Sequence, residues 1–193
     1  MSEFQLYFEL GLDHILDIKG YDHILFVISL CALYIISDWK KVLILVTAFT
    51  IGHSITLALA TLEIISMDSE LIEFLIPVTI FITAASNLFS KPGADIAKVQ
   101  TNYFFAAFFG LIHGMGFSNY LRSLLGKDTT IFTQLFAFNI GIEIGQIIIV
   151  GVFLVISAIF ISILGVSRRD WNLIISSAIA GIALTLMLEN KFW

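Results

Sequence analysis

Several ionisable side chains lie inside stretches of the chain that are otherwise apolar. An acidic residue within a membrane is costly to insert, so such residues usually face the interior of a helix bundle and mark a site or a pathway. Imidazole nitrogen combined with carboxylate oxygen suits zinc, nickel, cobalt or iron, and disfavours calcium and magnesium. We therefore expect a divalent transition-metal ion and no organic cofactor. The candidate ligands are His23, His53, His113, Glu143 and Asp22.

The second apolar stretch carries hydroxyl groups and an imidazole at helical spacing. Thr50, His53 and Thr56 are three residues apart with Ser54 beside them, so a helix would place them along one face. Gly52 would allow a neighbouring helix to approach closely. We interpret this face as part of an ion pathway. The alternative is a hydroxyl-rich helix contact containing one hydrogen-bonded histidine.

Glycines surround the histidine of the fourth apolar stretch. Gly110, Gly114 and Gly116 bracket His113. This pattern predicts a ligand presented on a thin or locally unwound helix, with access for an ion. The alternative is packing of small residues, with the imidazole bonded to a carbonyl group across the interface.

The fifth apolar stretch combines a polar stripe with a pair of glycines. Asn139, Glu143 and Gln146 follow the spacing i, i+4, i+7 and form one stripe on a helix. Gly141 and Gly145 form a GxxxG pair that favours helix packing. Packing does not explain the carboxylate, which must be neutral, paired with a histidine or bound to a cation. A structural ion pair is the alternative.

A short motif is repeated near the N-terminus. The tetrapeptide Asp-His-Ile-Leu begins at Asp13 and again at Asp22. The side chains of adjacent helical residues point about 100° apart. We therefore expect one of Asp22 and His23 to be a ligand and the other to orient a neighbouring imidazole. Alternatively, Asp22 only complements the helix dipole. We assign His14 and Glu73 to the pathway, although Glu73 also suits a first-turn acid.

The composition excludes most classes of soluble protein. Of 193 residues, 59% are hydrophobic and 13% are charged, whereas soluble domains carry about 25% charged residues. The mean hydropathy is +0.98. A single cysteine excludes a disulfide framework, and a net charge of −5 gives no basic surface for nucleic acid. The lipid bilayer is therefore the expected environment of most side chains.

The apolar stretches predict an all-α integral membrane protein. A span needs about 20 residues, and continuous apolar stretches favour helices over a β-barrel. Short polar connections leave no linker between domains, so we expect a single transmembrane domain over 1–193 with a bundle of about six helices. The predicted spans lie near 22–37, 42–65, 71–90, 101–121, 132–164 and 171–190.

The ends of the chain carry weaker signals. Residues 1–20 mix apolar and acidic side chains, which predicts a short interfacial helix before the first span. The N-terminus lacks the cationic region of a signal peptide, so we expect insertion through the protein's own helices. A slight excess of lysine and arginine in alternate connections places both termini outside the cytoplasm.

The candidate ligands converge in depth. At 1.5 Å per residue, His53, His113 and Glu143 each lie roughly 16–18 Å from the start of their stretches, near the membrane midplane. Asp22 and His23 lie above them, nearer the side on which the termini are expected. Three separate helices would thus bring imidazoles and a carboxylate to one level.

Four segments, taken in order, resemble a known family. They are Gly20-Tyr-Asp22-His23, Thr47-Ala-Phe-Thr50-Ile-Gly52-His53-Ser54-Ile-Thr56, Phe109-Gly110-Leu-Ile-His113-Gly114-Met-Gly116-Phe117 and Phe138-Asn139-Ile-Gly141-Ile-Glu143-Ile-Gly145-Gln146. Over about residues 11–150 the chain is similar to the HupE/UreJ family, six-helix bacterial membrane proteins associated with hydrogenase and urease. The resemblance implies a nickel or cobalt permease of the bacterial inner membrane, and the lysine and arginine bias then makes the expected position of the termini periplasmic. It also implies a polar core of the five candidate ligands.

The sequence is compatible with three functions. The leading hypothesis is a divalent transition-metal permease whose partners are the bilayer, the metal ion (Ni, Co or Zn), and a second copy or an accessory metalloenzyme system. The alternative is an intramembrane zinc hydrolase that uses the same His/Asp/Glu cluster. The third is a non-catalytic subunit whose polar core only specifies packing. Transport is favoured over an enzyme activity.

Overall fold

The protein is described here from a computed structural model covering residues 2–90, 96–125 and 131–193, except for the side chains of 96–101 and 125. These parts of the chain are helical and contain no strand. A short 3₁₀ turn (Ile36–Asp38) precedes α3, and a π turn (Ile159–Ile163) follows α7. The helices are α1 (Glu3–Leu16), α2 (Asp22–Cys31), α3 (Trp39–Thr61), α4 (Ser69–Leu88), α5 (Ile96–Gly116), α6 (Ser118–Leu125), α7 (Phe132–Ala158) and α8 (Arg168–Glu189).

Polar residues mark several helix boundaries. The side chains of Ser2, Asp68 and Ser167 accept hydrogen bonds from backbone N–H groups in the first turns of α1, α4 and α8. These bonds satisfy N–H groups that have no partner within the helix. Gly165 has a φ of +72° and follows the π turn, where a residue without Cβ is least strained.

Within the described parts of the chain, four helices are long and apolar enough to cross a membrane, and a fifth span results if α5 and α6 count as one helix bent by 49°. The protein is therefore a multi-pass membrane protein, but the predicted six spans are not confirmed. The helix predicted over 22–37 ends at Cys31 and is only 10 residues long, about 15 Å against a hydrocarbon core of about 30 Å. The polar connections over 91–95 and 126–130 lie outside the described residues.

The N-terminal helix α1 packs along α7. A Cβ atom on Gly11 would collide with the carbonyl oxygen of Phe138, and one on Gly141 with the carbonyl oxygen of Phe8. Further along both helices, a Cβ on Gly145 would collide with the side chain of Ile15. Because Glu3 contacts Gln134 at one end of this interface and Ile15 contacts Gly145 at the other, α1 and α7 run parallel. The predicted helix is present, but its interfacial position is not confirmed.

Helices α3 and α5 also run parallel and in close contact. A Cβ on Gly110 would collide with the carbonyl oxygen of Phe49, and one on Gly114 with that of His53. Gly52 lies equally close to the α5 backbone at Ala107. Absence of side chains at these positions lets the backbones approach. Gly116 ends α5 and lies near the side chain of Ile76 instead.

The short helix α2 begins deep within the bundle. It runs parallel to α4, because Asp22 lines a cavity with Pro77 and Ser29 accepts a hydrogen bond from Asn87 at its carbonyl oxygen. Since α4 begins at Ser69, α2 starts about two turns inside it. We call the end of the bundle that holds the 62–68 connection the α3–α4 end, and the opposite end, with residues 32–38, the α2–α3 end.

Candidate metal centre

Four helices bring their histidines together at one point inside the bundle. The ring centres of His14 and His23 are 4.6 Å apart, and those of His23 and His113 are 5.2 Å apart. The His53 ring centre lies 6.0 Å from those of both His14 and His23. These four residues, from α1, α2, α3 and α5, form what we call the histidine cluster. His23, His53 and His113 are buried.

Two overlapping groups within this cluster have the geometry of a metal site. One nitrogen each from His14, His23 and His53 lie within 4.8 Å of one another. The same holds for one ligand atom each from Asp22, His23 and His113. His23 belongs to both groups, so an ion near its ring is within reach of either set.

Hydrogen bonds assign the proton positions on two of the rings. The Thr79 hydroxyl donates to the carbonyl oxygen of Ile76 at 2.7 Å, so it accepts from Nε2 of His113 at 3.0 Å. Nδ1 of His113 then keeps a free lone pair. Nδ1 of His23 lies 3.3 Å from Oδ1 of Asp22. Donation to that carboxylate leaves Nε2 of His23 with its lone pair.

The free ring nitrogens have no hydrogen-bond partner among the residues that the structure describes. Buried polar atoms are nearly always hydrogen-bonded, so a group of bare nitrogens in one place needs an explanation. An ion held by the lone pairs would supply the missing interaction. The buried histidine nitrogens without such a partner are Nε2 of His14, Nε2 of His23, both ring nitrogens of His53, and Nδ1 of His113.

The sequence that forms this cluster matches a known protein family. The family model for HupE / UreJ protein matches residues 1–190. The chain belongs to the HupE/UreJ family. The match covers the whole of the histidine cluster. No curated protein and no solved structure matches the chain.

Glu143 of this HupE/UreJ chain lies apart from the histidine cluster. Its Oε1 accepts a hydrogen bond from the Thr47 hydroxyl on α3, and it joins neither group of candidate ligands among the described residues. Its Oε2 is buried without a partner. The structure places His14, not Glu143, beside His23 and His53, and coordination of an ion by Glu143 stays a prediction. The sequence spacing predicts the depth of Glu143 along α7 but not the direction in which its side chain points.

The other predicted pathway residues lie around α3 and α7. The Thr50 hydroxyl lies 2.8 Å from Oε1 of Gln146. Ser54 and Thr56 donate to backbone carbonyl groups of α3 itself. Asn139 has a buried carbonyl oxygen without a partner. Of these groups, Thr50 and Gln146 form a polar contact between α3 and α7.

Two cavities approach the cluster from the α3–α4 end. One, of about 600 Å³, is lined by His14, Asp13, Asp17, Phe117 and other residues, and is widely open. The other, of about 200 Å³, is lined by Asp22 and Glu73 among others. Glu73 therefore lies near Asp22 but at the surface, one turn into α4.

Thr79 is the positioning residue that sequence reasoning left out of the site. It belongs to a stripe, Thr79, Thr83 and Asn87, at the spacing i, i+4, i+8 on α4. That stripe was visible in the sequence, but nothing there paired it with a particular histidine. The repeated Asp-His-Ile-Leu motif was the corresponding signal for His14.

Proposed function

We propose that this HupE/UreJ protein is a divalent transition-metal permease, and that the histidine cluster is its binding site for the transported ion. The observation that carries the proposal is the convergence of unpartnered, buried ring nitrogens from four helices. A cluster built only for packing would be expected to satisfy its nitrogens with hydroxyl or carbonyl groups, as Thr79 does for one nitrogen of His113.

The donor set supports nickel, cobalt or zinc as the substrate. Imidazole ligands suit these ions, and one carboxylate, Asp22, balances part of the charge. The only cysteine, Cys31, is buried and belongs to neither ligand group, so thiolate coordination has no part in the proposal. We place the protein in the bacterial inner membrane with periplasmic termini, supplying ion to an accessory metalloenzyme system.

Access supports transport over hydrolysis. His14 is both a member of the cluster and part of the wall of the widely open cavity. An ion can therefore reach the ligands directly from the α3–α4 end. Asp22 similarly joins the second cavity to the cluster. A carrier must admit and release its ion, and ligands at a cavity wall serve that requirement.

The test is metal uptake by proteoliposomes. We expect the wild-type protein to take up Ni²⁺ or Co²⁺ saturably, and His53→Ala to lose at least 10-fold in uptake rate because two ring nitrogens leave the centre of the cluster. Thr185→Ala is the matched control, since that hydroxyl only bonds the backbone of its own helix and faces outward. Equal uptake by wild type and His53→Ala would contradict the proposal.

Elemental analysis of the purified protein separates the alternatives. A permease should release its ion to a chelator. About one zinc per chain that survives chelation and disappears in His53→Ala would support the hydrolase instead. Absence of metal binding in the wild-type protein under all conditions would support a packing role.

A further inference from the structure

Three phenylalanine side chains close the histidine cluster on the side of the α2–α3 end. Phe49 and Phe109 each precede a cluster histidine by four residues, on helices that run toward the α3–α4 end. Phe26 follows His23 by three residues on α2, which runs the opposite way. All three rings therefore lie on the same side of the cluster. We call them the phenylalanine plug.

The plug is in direct contact with the rings that would hold the ion. The ring centres of Phe26 and Phe49 lie 5.0 Å and 5.2 Å from that of His113. Phe26 lies 4.9 Å from Phe49 and 6.1 Å from Phe109. Phe26 and Phe49 have no exposed surface, and Phe109 is 6% exposed. No hydrated ion could pass these rings without their movement.

A cavity with a mixed lining, in which apolar side chains outnumber polar ones, lies immediately beyond the plug. It has a volume of about 140 Å³, and Phe109 forms part of its wall. Four neutral polar side chains also line it: Thr83, Ser86, Asn87 and Asn102. Since one water needs about 10–15 Å³ of such volume, the cavity can hold several waters around a cation. Its lining offers hydroxyl and amide oxygens but no charged group, which favours weak binding.

One helix face connects the cluster to this cavity. Thr79 is the first residue of the α4 stripe and contacts His113, whereas Thr83 and Asn87 lie nearer the α2–α3 end and line the cavity. The stripe covers about 12 Å along α4. It runs past the plug and provides polar atoms on both sides of it. The plug thus lies between the histidine cluster and this cavity, which share one polar helix face.

We propose that this cavity is the release chamber for the transported cation, and that the phenylalanine plug is the barrier between it and the histidine cluster. The proposal rests on the transport function proposed above and adds a second station and a route. In this structure the histidine cluster is accessible from the α3–α4 end and closed toward the α2–α3 end. Passage requires the plug to open while the α3–α4 side closes.

Removal of one plug ring should accelerate ion passage. Phe109→Ala leaves every candidate ligand in place, so we expect Co²⁺ binding to the purified protein, followed by its visible absorption, to change less than two-fold. Downhill Co²⁺ flux in proteoliposomes should rise several-fold. Phe104→Ala, a 70% exposed ring on the same helix, is the control and should change neither quantity.

The outcomes distinguish this proposal from the proposed function. If wild-type protein carries Co²⁺ but Phe109→Ala behaves like Phe104→Ala, the barrier is wrong while the permease stands. If wild-type protein neither binds nor carries Co²⁺, the proposed function fails. Loss of Co²⁺ binding in Phe109→Ala would signal a disrupted fold, and the labelling experiment below then decides.

Cysteine labelling tests the two compartments without a plug variant. In a Cys31→Ala background, Asp17→Cys reports the open cavity and Thr83→Cys reports the release chamber. Intact spheroplasts and inside-out vesicles expose opposite sides of the membrane to a membrane-impermeant thiol reagent. We expect the reagent to label Asp17→Cys in one of these two preparations and Thr83→Cys only in the other. Labelling of both from the same side, or no labelling of Thr83→Cys from either side, would overturn the proposal.

Discussion

At the scale of single residues, hydrogen bonds decide which ring nitrogens keep a free lone pair. The Thr79 hydroxyl is committed as a donor to the Ile76 carbonyl group, so it can only accept from His113. That bond holds the proton on Nε2 and directs Nδ1 toward His23. Asp22 has the same relation to His23. Residues that hydrogen-bond to a metal-ligating histidine commonly contribute 10–100-fold to metal affinity.

We therefore expect Thr79→Val to weaken Co²⁺ binding by about 10-fold while the protein remains folded. Thr79→Ser keeps the hydroxyl and should restore most of the affinity. Isothermal titration of the purified protein measures both values. A Val variant as tight as wild type would show that the hydroxyl does not position His113, and a Ser variant as weak as Val would assign the loss to packing.

At the scale of helices, the position of His14 depends on how α1 docks. The α1 helix has 14 residues, too short to span a membrane alone. Glycines on both partners, Gly11 and Gly141, let its backbone touch that of α7. The side-chain amide of Gln134 also donates to Glu3 at 2.6 Å. These contacts hold the end of α1, with His14, against the other cluster helices.

Gly141→Ala should weaken that docking, because the added methyl group would collide with the Phe8 carbonyl oxygen. Overpacking of this kind costs about 1–3 kcal/mol. We expect a lower thermal unfolding midpoint and weaker Co²⁺ binding. Gly151→Ala is the matched control on the same helix, since a Cβ there meets no atom within 4 Å. Equal behaviour of the two variants would refute the close contact between α1 and α7.

At the scale of the whole molecule, the cluster exists only when four helices are assembled. Its ligands come from α1, α2, α3 and α5 and are spread over residues 14–113 of the sequence. The unfolded chain has no preformed site, so binding of an ion favours the folded state. The stabilisation grows with free ligand and reaches about 2.7 kcal/mol at 100 times the dissociation constant.

Co²⁺ should accordingly raise the unfolding midpoint of the wild-type protein in detergent, and His53→Ala should lose that shift. Mg²⁺ at the same concentration should have no effect, because imidazole suits it poorly. Differential scanning fluorimetry provides the measurement. A Co²⁺ shift that persists in His53→Ala would locate the ion somewhere other than the histidine cluster.

The sequence predicted the membrane bundle and three of the cluster histidines. His23, His53 and His113 stood out because an ionisable group in an apolar stretch needs a partner. Glu143 stood out for the same reason, but the direction it faces depends on how α7 packs against α3. His14 lies in a segment of mixed polarity, and only the docking of α1 brings it inward. The end of α2 at Cys31 and the bend between α5 and α6 likewise depend on tertiary contacts, which the length of an apolar stretch does not reveal.

The place of His14 at a cavity wall bears on the hydration of the incoming ion. A divalent ion enters as an aqua complex and must lose water to be coordinated. If it arrives through the open cavity, His14 is the first imidazole it meets, and His23 and His53 lie one ring beyond. Each water can then be replaced in turn by a nitrogen. The dehydration cost is divided into several small barriers rather than concentrated in one.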